Sequence, residues 1–216
     1  MSGVAESELF PRAPRAGRVE RGRGRHHHRR RPGVRTGKPG LPLHRPGFQR
    51  SDLCQRDAAN PAKYYLLSAP AHAAHPTTRR TQAEATPVEM GAAETANRRT
   101  IYKYIYAEGI QSCQLVMGLT QLLPGNVWNT MPAHTHDRRM EAYLYFSLPA
   151  GQRVLHLLGE PSETRPLWVS NEQAILSPPW SIHTGCGTAA YAFIWGMAGE
   201  NREYTDMDTV PPHDLR

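Results

Sequence analysis

The chain has 216 residues, of which 39% are hydrophobic and 21% charged, and a formal net charge of +7. That length fits one domain, or one domain with a tail. Three scattered cysteines exclude a disulfide framework or a cysteine-rich zinc site and indicate a reducing compartment. No stretch approaches the ~20 apolar residues of a membrane span. The basic N-terminus lacks the apolar segment of a secretory signal, so we expect a cytoplasmic location and no membrane partner.

The positive charge is concentrated in residues 1–57. They contain 14 Lys/Arg and 5 Asp/Glu, a net of +9, whereas residues 58–216 contain 12 and 14, a net of −2. Eight glycines and six prolines interrupt the first segment, and its few large apolar residues follow no sustained period. We therefore predict a disordered tail over residues 1–57 and a folded domain over 58–216. The tail has no aromatic residues interleaved with its arginines, so nucleic acid is not an expected partner.

Beyond residue 58, short β-rich segments follow at intervals of about ten residues, separated by Pro-Gly and Gly-Glu-Pro turns. The stretch 71–100, with Pro76 and Pro87, is predicted to be a loop. No long stretch has a helical period, which predicts an antiparallel sandwich or barrel. The predicted strands are residues 62–69, 99–106, 114–123, 142–148, 154–158, 167–169, 172–176 and 191–197.

Alternation within the predicted strand 99–106 assigns its side chains to two faces. Ile101, Lys103 and Ile105 fall on one face, and the three tyrosines that alternate with them fall on the other. The same alternation places Tyr143 and Tyr145 on the face of Glu141.

Four residues have the spacing of a metal site. His134 and His136 share a face if they lie on a strand, and Glu141 follows after a gap long enough for a turn or bulge. His183 follows the proline-rich segment LSPPWSIH, which suits the end of a strand on a facing sheet. Three imidazoles and one carboxylate suit zinc, iron, manganese, nickel or copper, and zinc is the expected ion. The alternative is a set of surface histidines in a proline-bounded loop.

These motifs resemble those of known proteins. Gly125 and Glu141 resemble the first cupin motif, and Pro178 or Pro179 before His183 resembles the second. The run from about residue 60 to 216 resembles the C-terminal portion of the 5-keto-4-deoxyuronate isomerases, the 4-deoxy-L-threo-5-hexosulose-uronate ketol-isomerases. The segments that carry this resemblance are NPAKYY, SAPAHAAHPT, NRRTIYKY, PGNVWNTMPAHTHDRRMEAYLYF, NEQAILSPPWSIHTGCGT and FIWGMAGEN.

The resemblance implies an all-β, cupin-type jelly-roll domain with one divalent metal on His134, His136, Glu141 and His183. It also implies an aldose–ketose isomerisation of a small deoxy-keto-uronate through an enediolate or a hydride shift, in the catabolism of pectin-type uronides. A homo-oligomer is suggested by the family. Residues 1–57 do not resemble the family's other cupin-like half. Translation in a shifted frame or from a misplaced start would produce their composition, and a native tail is the alternative.

The residues that would act on the substrate are less defined. The substrate carboxylate needs a cation, and guanidinium groups bind carboxylates in a bidentate manner. The candidates for this role are Arg98, Arg99, Arg138 and Arg139, and those for the general base are Glu172 and Tyr143. The other readings are a non-catalytic cupin that binds a metal or a sugar acid, and an inactive fragment of an isomerase.

Several other residues receive structural interpretations. His156, in VLHLL, is interpreted as a packed or edge-strand histidine and not as a ligand. Trp128, Trp180 and Trp195 are interpreted as core residues. Trp180 is the exception closest to a role in stacking on a sugar, because it lies near His183 in sequence.

Overall fold

The computed structural model describes residues 16–18, 54–56, 59 and 61–216. These residues contain fourteen strands and two 3-10 turns, at Gln82–Glu84 and Pro212–Asp214, and no helix among them is long and apolar enough to cross a membrane. The strands are β1 (Ala16–Arg18), β2 (Cys54–Arg56), β3 (Thr86–Met90), β4 (Arg99–Ile105), β5 (Leu115–Leu122), β6 (Trp128–Asn129), β7 (Ala133–Thr135), β8 (Arg139–Phe146), β9 (Val154–Glu160), β10 (Glu163–Val169), β11 (Ala174–Ser177), β12 (Ile182–Gly187), β13 (Ala192–Gly199) and β14 (Asp208–Val210).

The chain divides into two compact units. One comprises Met1–Leu67 and Ala73–Glu84, and the other comprises Ser68–His72 and Ala85–Arg216. In the first unit, β1 pairs with β2 in an antiparallel ribbon. The remainder of the predicted disordered tail lies outside the described residues, and the boundary at residue 58 stays a prediction. Strands β3 to β14 all belong to the second unit.

The second unit is built from two antiparallel sheets. The larger has the order β11-β8-β13-β5-β4-β3, and the smaller has the order β10-β9-β12-β6. Strands β7 and β14 form a separate two-stranded ribbon. The chain crosses repeatedly between the sheets, from β8 to β9 and from β11 to β12 to β13. This architecture is the predicted all-β, cupin-type sandwich.

Large aromatic side chains of the larger sheet and aliphatic side chains of the smaller sheet share one core. Tyr143 and Tyr145 of β8, Phe193 and Trp195 of β13, and Val154 of β9 are buried in the same cluster. The register pairs Tyr143 with Trp195 and Tyr145 with Phe193, so these rings project from the same face of the larger sheet. Aromatic side chains bury more apolar surface than any others, so this cluster supplies much of the driving force for packing the sheets.

Seven of the eight predicted strands are confirmed, with ends shifted by up to four residues. The predicted strand at 62–69 is wrong, because that segment forms no ladder with any described strand. An apolar composition favours an extended chain, but a strand also needs a partner to accept its backbone hydrogen bonds. The predicted loop at 71–100 is wrong in part, since β3 lies within it. Pro87 is tolerated there because β3 is an edge strand, where a missing N–H is not required.

Two further features were predicted only in part. The expected strand end at His183 is present, since β12 begins one residue before it, but the length of β12 was not predicted because Gly185 and Gly187 disguise it as a loop. A β-bulge between Lys103 and Ile105 interrupts the alternation predicted for β4. Ile101 and Lys103 share a face as expected, but the bulge lets Tyr104 and Ile105 both be buried.

Candidate metal centre

His134, His136, Glu141 and His183 converge on one point. Each offers one ligand atom, and these atoms lie within 4.8 Å of one another. The His183 Nε2 atom is 2.7 Å from Glu141 Oε2 and 3.1 Å from His134 Nε2. The His136 Nε2 atom is 3.1 Å from the same Glu141 oxygen. His136, Glu141 and His183 are buried and His134 is partly exposed, so the cluster has one side nearer to solvent.

Local backbone geometry brings the first three side chains together. His134 lies in β7, and His136 directly follows that strand. Arg138 then adopts a left-handed conformation, with φ of +58°, and β8 begins at the next residue. This reversal is the turn that the spacing predicted, and it brings the Glu141 carboxylate back to the two imidazoles. His183 comes from β12 in the opposite sheet, so the cluster joins the two layers of the sandwich.

Hydrogen bonds outside the cluster orient its imidazoles. The His136 Nδ1 atom is 2.6 Å from the backbone oxygen of Asp206, which can only accept a hydrogen bond. A hydrogen on Nδ1 lets the ring donate to that oxygen and leaves the Nε2 lone pair directed at the cluster. The Arg139 Nη2 atom lies 3.0 Å from the same nitrogen and donates to the Asp206 oxygen at 2.9 Å. The His183 Nδ1 atom is similarly 3.4 Å from Ser177 Oγ. The strand pairing of β14 with β7 sets Thr209 opposite His134.

This donor set fits a divalent cation. In the neutral tautomer of His136, its Nε2 and the Glu141 Oε2 are two acceptors that face each other at 3.1 Å. A cation between them makes that approach favourable, and three nitrogens with one carboxylate oxygen are preferred ligands of zinc and its neighbours. The observed separations of 2.7 to 3.1 Å are somewhat below the ~3.3 Å edge of a tetrahedron with zinc–nitrogen bonds of about 2.0 Å.

The electrostatics of the cluster favour the protonation states that a metal requires. Burial, followed by the neighbouring His183, lowers the pKa of His134 from 6.5 to about 3, so its imidazole is neutral at pH 7. Burial by itself would raise the pKa of Glu141. The charges of His183 and His136 and their hydrogen bonds outweigh that effect and hold this pKa well below its ordinary value. A neutral imidazole and an ionised carboxylate are the ligand forms.

Tyr143 lies directly beside the cluster. Its ring centroid is 5.4 Å from that of His183, and its hydroxyl oxygen is 3.0 Å from Thr130 Oγ1. Burial, and then the charge of Glu141, raise the pKa of this phenol well above 10. Tyr143 is therefore protonated at neutral pH and suited to donate a hydrogen bond, not to act as a base.

A second polar layer lies deeper between the sheets. The Tyr145 hydroxyl is 2.6 Å from His156 Nδ1, and Asn129 Nδ2 donates to Tyr191 at 2.7 Å. Tyr191 in turn donates to the backbone oxygen of Gly185. His156 is fully buried on β9, which lies between β10 and β12, so the packed interpretation is confirmed and the edge-strand one is wrong. Burial lowers the pKa of His156 to about 3, so this imidazole is neutral.

The four arginines predicted as carboxylate partners differ in their surroundings. Arg98 is exposed. The Arg138 side chain is 63% exposed and lies 3.7 Å from Asp137. Arg139 is buried and donates to the backbone oxygens of residues 203, 204 and 206, which anchors the segment that orients His136. Arg99 alone among them is half-buried, with tyrosine hydroxyls in electrostatic range.

Glu172 and the three tryptophans singled out in the sequence also differ in their exposure to solvent. Glu172 lies on the exposed turn between β10 and β11, with φ of +64°, whereas the metal cluster is buried. Trp195 is a core residue and Trp128 is half-buried, but Trp180 is 57% exposed, so its interpretation as core is wrong. The carbonyl of neighbouring Pro179 accepts a hydrogen bond from the His136 backbone N–H, which places the Trp180 turn beside the cluster.

Sequence reasoning missed the segment 203–206 entirely. Its carbonyls bind Arg139, its Asp206 oxygen orients His136, and Tyr204 is in electrostatic range of Glu141. These contacts use mainly backbone atoms, which leave no residue pattern to recognise. The one signal in the sequence was Arg139, three residues after the His-x-His pair, and it also suited a substrate-binding role.

Comparison with known proteins places these features in context. The model of the KduI/IolB family matches residues 44–214. The chain is 61% identical over 160 residues to 4-deoxy-L-threo-5-hexosulose-uronate ketol-isomerase 2 of Rhizobium meliloti, covering 74% of this chain and 57% of that protein. It is 54% identical over 170 residues to the 4-deoxy-L-threo-5-hexosulose-uronate ketol-isomerase of Shouchella clausii, covering 79% and 62%.

The chain thus spans about three fifths of the length of these relatives. Among solved structures, an IolB-like protein from Salmonella typhimurium superposes with a TM-score of 0.54 at 18% identity, over 74% of this chain and 60% of that one. That likeness supports the fold alone.

Proposed function

The chain belongs to the KduI/IolB family, and on that premise we propose that it is a metal-assisted ketol isomerase. The proposed reaction interconverts 5-dehydro-4-deoxy-D-glucuronate and 3-deoxy-D-glycero-2,5-hexodiulosonate, in the breakdown of pectin-type uronides. The observation that carries the proposal is the convergence of four buried or half-buried ligands in a chain 61% identical to a protein named for this activity. The proposed ion is zinc, held by His134, His136, Glu141 and His183.

A divalent ion at this cluster supplies a Lewis acid for the carbonyl and the adjacent hydroxyl of a sugar acid. The chain contributes the surroundings. Glu141 and His134 are held in their ligand forms, and the His136 ring is oriented by the Asp206 carbonyl. Tyr143, protonated and next to His183, is positioned to donate a hydrogen bond to a substrate oxygen where negative charge develops. Tyr145 and Tyr191, which are buried deeper between the sheets, exclude water from the inner side of the cluster.

Neither predicted candidate for the general base has surroundings that suit that role. Tyr143 is disfavoured by its raised pKa, and Glu172 by its exposed position on the turn between β10 and β11. The variant Tyr143→Phe tests whether Tyr143 acts as a hydrogen-bond donor or only packs in the core, because it removes the hydroxyl and keeps the ring. We expect full metal content and an unchanged fold, with turnover reduced about 10- to 1,000-fold, the range for a lost acid or oxyanion donor.

The direct test is conversion of the deoxy-keto-uronate by the zinc-loaded chain, followed by proton NMR. The aldehyde-end signals of the substrate should disappear, and the hydroxymethyl signals of the product should grow. The chelated protein and Glu141→Gln should both be inactive. Metal binding without turnover would instead support a non-catalytic cupin that binds a metal or a sugar acid. Absence of both metal binding and turnover would support an inactive fragment of an isomerase.

A further inference from the structure

Two cations project into the sandwich from β4. The register joins Tyr143, Trp195, Gly118 and Lys103 in one row across the larger sheet, from β8 through β13 and β5 to β4. Residues directly opposite one another share a face, so Lys103 projects on the same side as Tyr143. Arg99 lies on this side too, because it is four residues before Lys103 and precedes the bulge.

Neither cation has a carboxylate partner among the residues that the structure describes. The ion pairs of that region involve other groups, chiefly the histidines of the cluster, Arg138 and Arg165. The Arg99 Nη1 atom donates to the Asn97 carbonyl at 2.9 Å, which leaves the rest of the guanidinium fork available. Lys103 Nζ lies 5.0 Å from the centroids of both the Tyr106 and Tyr204 rings.

A half-buried cation without a counter-charge is costly, because it loses hydration that nothing replaces. Burial lowers the pKa of Arg99, and the hydroxyls of Tyr143, Tyr204 and Tyr191 oppose that shift. Aromatic faces hold the Lys103 ammonium in place but do not neutralise it. The inner face of β4 is therefore electropositive and predisposed to bind an anion.

Tyr204 connects this face to the metal cluster. Its ring packs on Trp195 at 5.5 Å and on the Lys103 ammonium, while its hydroxyl is in electrostatic range of both Arg99 and Glu141. The proposed substrate carries its carboxylate at the opposite end of the carbon chain from the carbons that react. A molecule held by the metal at one end would present its carboxylate to the β4 side.

We propose that Arg99 and Lys103 form a carboxylate subsite on the inner face of β4 and select acidic sugars over neutral ones. The inference rests on the proposed function for the identity of the ligand. Arg99 supplies the bidentate fork and Lys103 a second positive charge. Arg138, although next in sequence to the ligands, is largely exposed and already lies within 4.0 Å of Asp137 and Glu200, so it is excluded from this role.

The test uses calorimetric titration of the zinc-loaded chain with D-galacturonate, and with D-galactose as the neutral probe. We expect galacturonate to bind more tightly than galactose. Arg99→Met should weaken galacturonate binding about 10- to 100-fold, the effect of losing a charge-assisted hydrogen-bond pair. Lys103→Met should weaken it about 3- to 10-fold, since an ammonium acts as a point charge. Neither change should alter the weak binding of galactose.

Arg138→Met is the matched control and should bind galacturonate like the unmodified chain. Metal content should be unchanged in all three variants, and the melting temperature of ligand-free Arg99→Met should be equal or higher, because an unpaired cation is removed. Arg99→Lys should give an intermediate affinity, and it provides the comparison if the methionine variant does not fold.

Two results would overturn the subsite: equal galacturonate affinity in Arg99→Met and the unmodified chain, or no preference of the unmodified chain for galacturonate over galactose. Failure of the proposed function looks different. A chain that binds galacturonate through Arg99 but does not convert the deoxy-keto-uronate would refute the isomerase proposal and leave the subsite standing.

Discussion

Removal of His183 is the sharpest test of the candidate metal centre, because among the four proposed ligands it is the one from the smaller sheet. His183→Ala deletes a nitrogen that lies 2.7 Å from Glu141 Oε2 and 3.1 Å from His134 Nε2. The three proposed ligands that remain are close in sequence and come from β7, the residue after it and β8. Even loss of a residue that only supports a ligand weakens metal affinity about 10- to 100-fold, so loss of the ligand itself should cost at least as much.

The expected change in stability follows from that affinity. A ligand that binds only the native state stabilises it by RT ln(1 + [L]/Kd), so a 100-fold weaker Kd removes about 2.7 kcal/mol at saturating metal. For a domain of this size, 1 kcal/mol shifts the melting temperature by roughly 2–4 °C. The zinc-dependent rise in melting temperature should therefore be about 5–11 °C smaller in His183→Ala than in the unmodified chain.

The assay compares melting temperatures with zinc and with chelator for each protein, together with metal analysis after gel filtration. Taking the difference within each variant cancels the cost of the cavity that alanine leaves. His136→Ala should behave like His183→Ala. The control is His213→Ala, whose side chain is 82% exposed and outside the cluster. Full metal content and an undiminished zinc effect in His183→Ala would refute the four-ligand site and the isomerase proposal built on it.

Three further predictions address stability and the tail. Because burial lowers the pKa of His156 from 6.5 to about 3, the unfolded chain binds a proton that the native state does not, and stability is lost as pH falls below 6.5. In metal-free protein below pH 6.5, the unfolding free energy of His156→Gln should fall with decreasing pH less steeply than that of the unmodified chain, by up to about 1.4 kcal/mol per pH unit. Equal slopes in the two proteins would contradict this. Gly118→Ala should lower the free energy of unfolding by about 1–3 kcal/mol in urea denaturation, because the added Cβ would lie 2.2 Å from the Trp195 ring. Gly151→Ala is the comparison, since the space there is open and only the positive φ is a cost. Deleting residues 1–57 should leave zinc stoichiometry unchanged, and a large loss would show that the tail belongs to the site.

The sequence predicted those features that depend on local pattern. Short β-rich segments separated by turn residues identified seven strands. The spacing of His134, His136 and Glu141 required only a two-residue strand repeat and a short reversal, which Arg138 supplies. The proline-rich segment before His183 suggested a strand end on a facing sheet, and family resemblance supported its place beside the other three. The chain's own residues therefore indicated the fold class and the four members of the cluster, although their role as ligands stays a prediction.

Other features depended on contacts between distant segments. The failed strand at 62–69 had suitable residues, but strand formation also depends on a pairing partner that composition does not specify. The predicted arginines looked equivalent in sequence, yet Arg139 binds backbone carbonyls, Arg138 faces solvent, and Arg99 faces the interior beside Tyr204. Electrostatics and burial depend on three-dimensional neighbours, so only the tertiary structure distinguished the buried Arg139, which binds backbone carbonyls, from the half-buried Arg99.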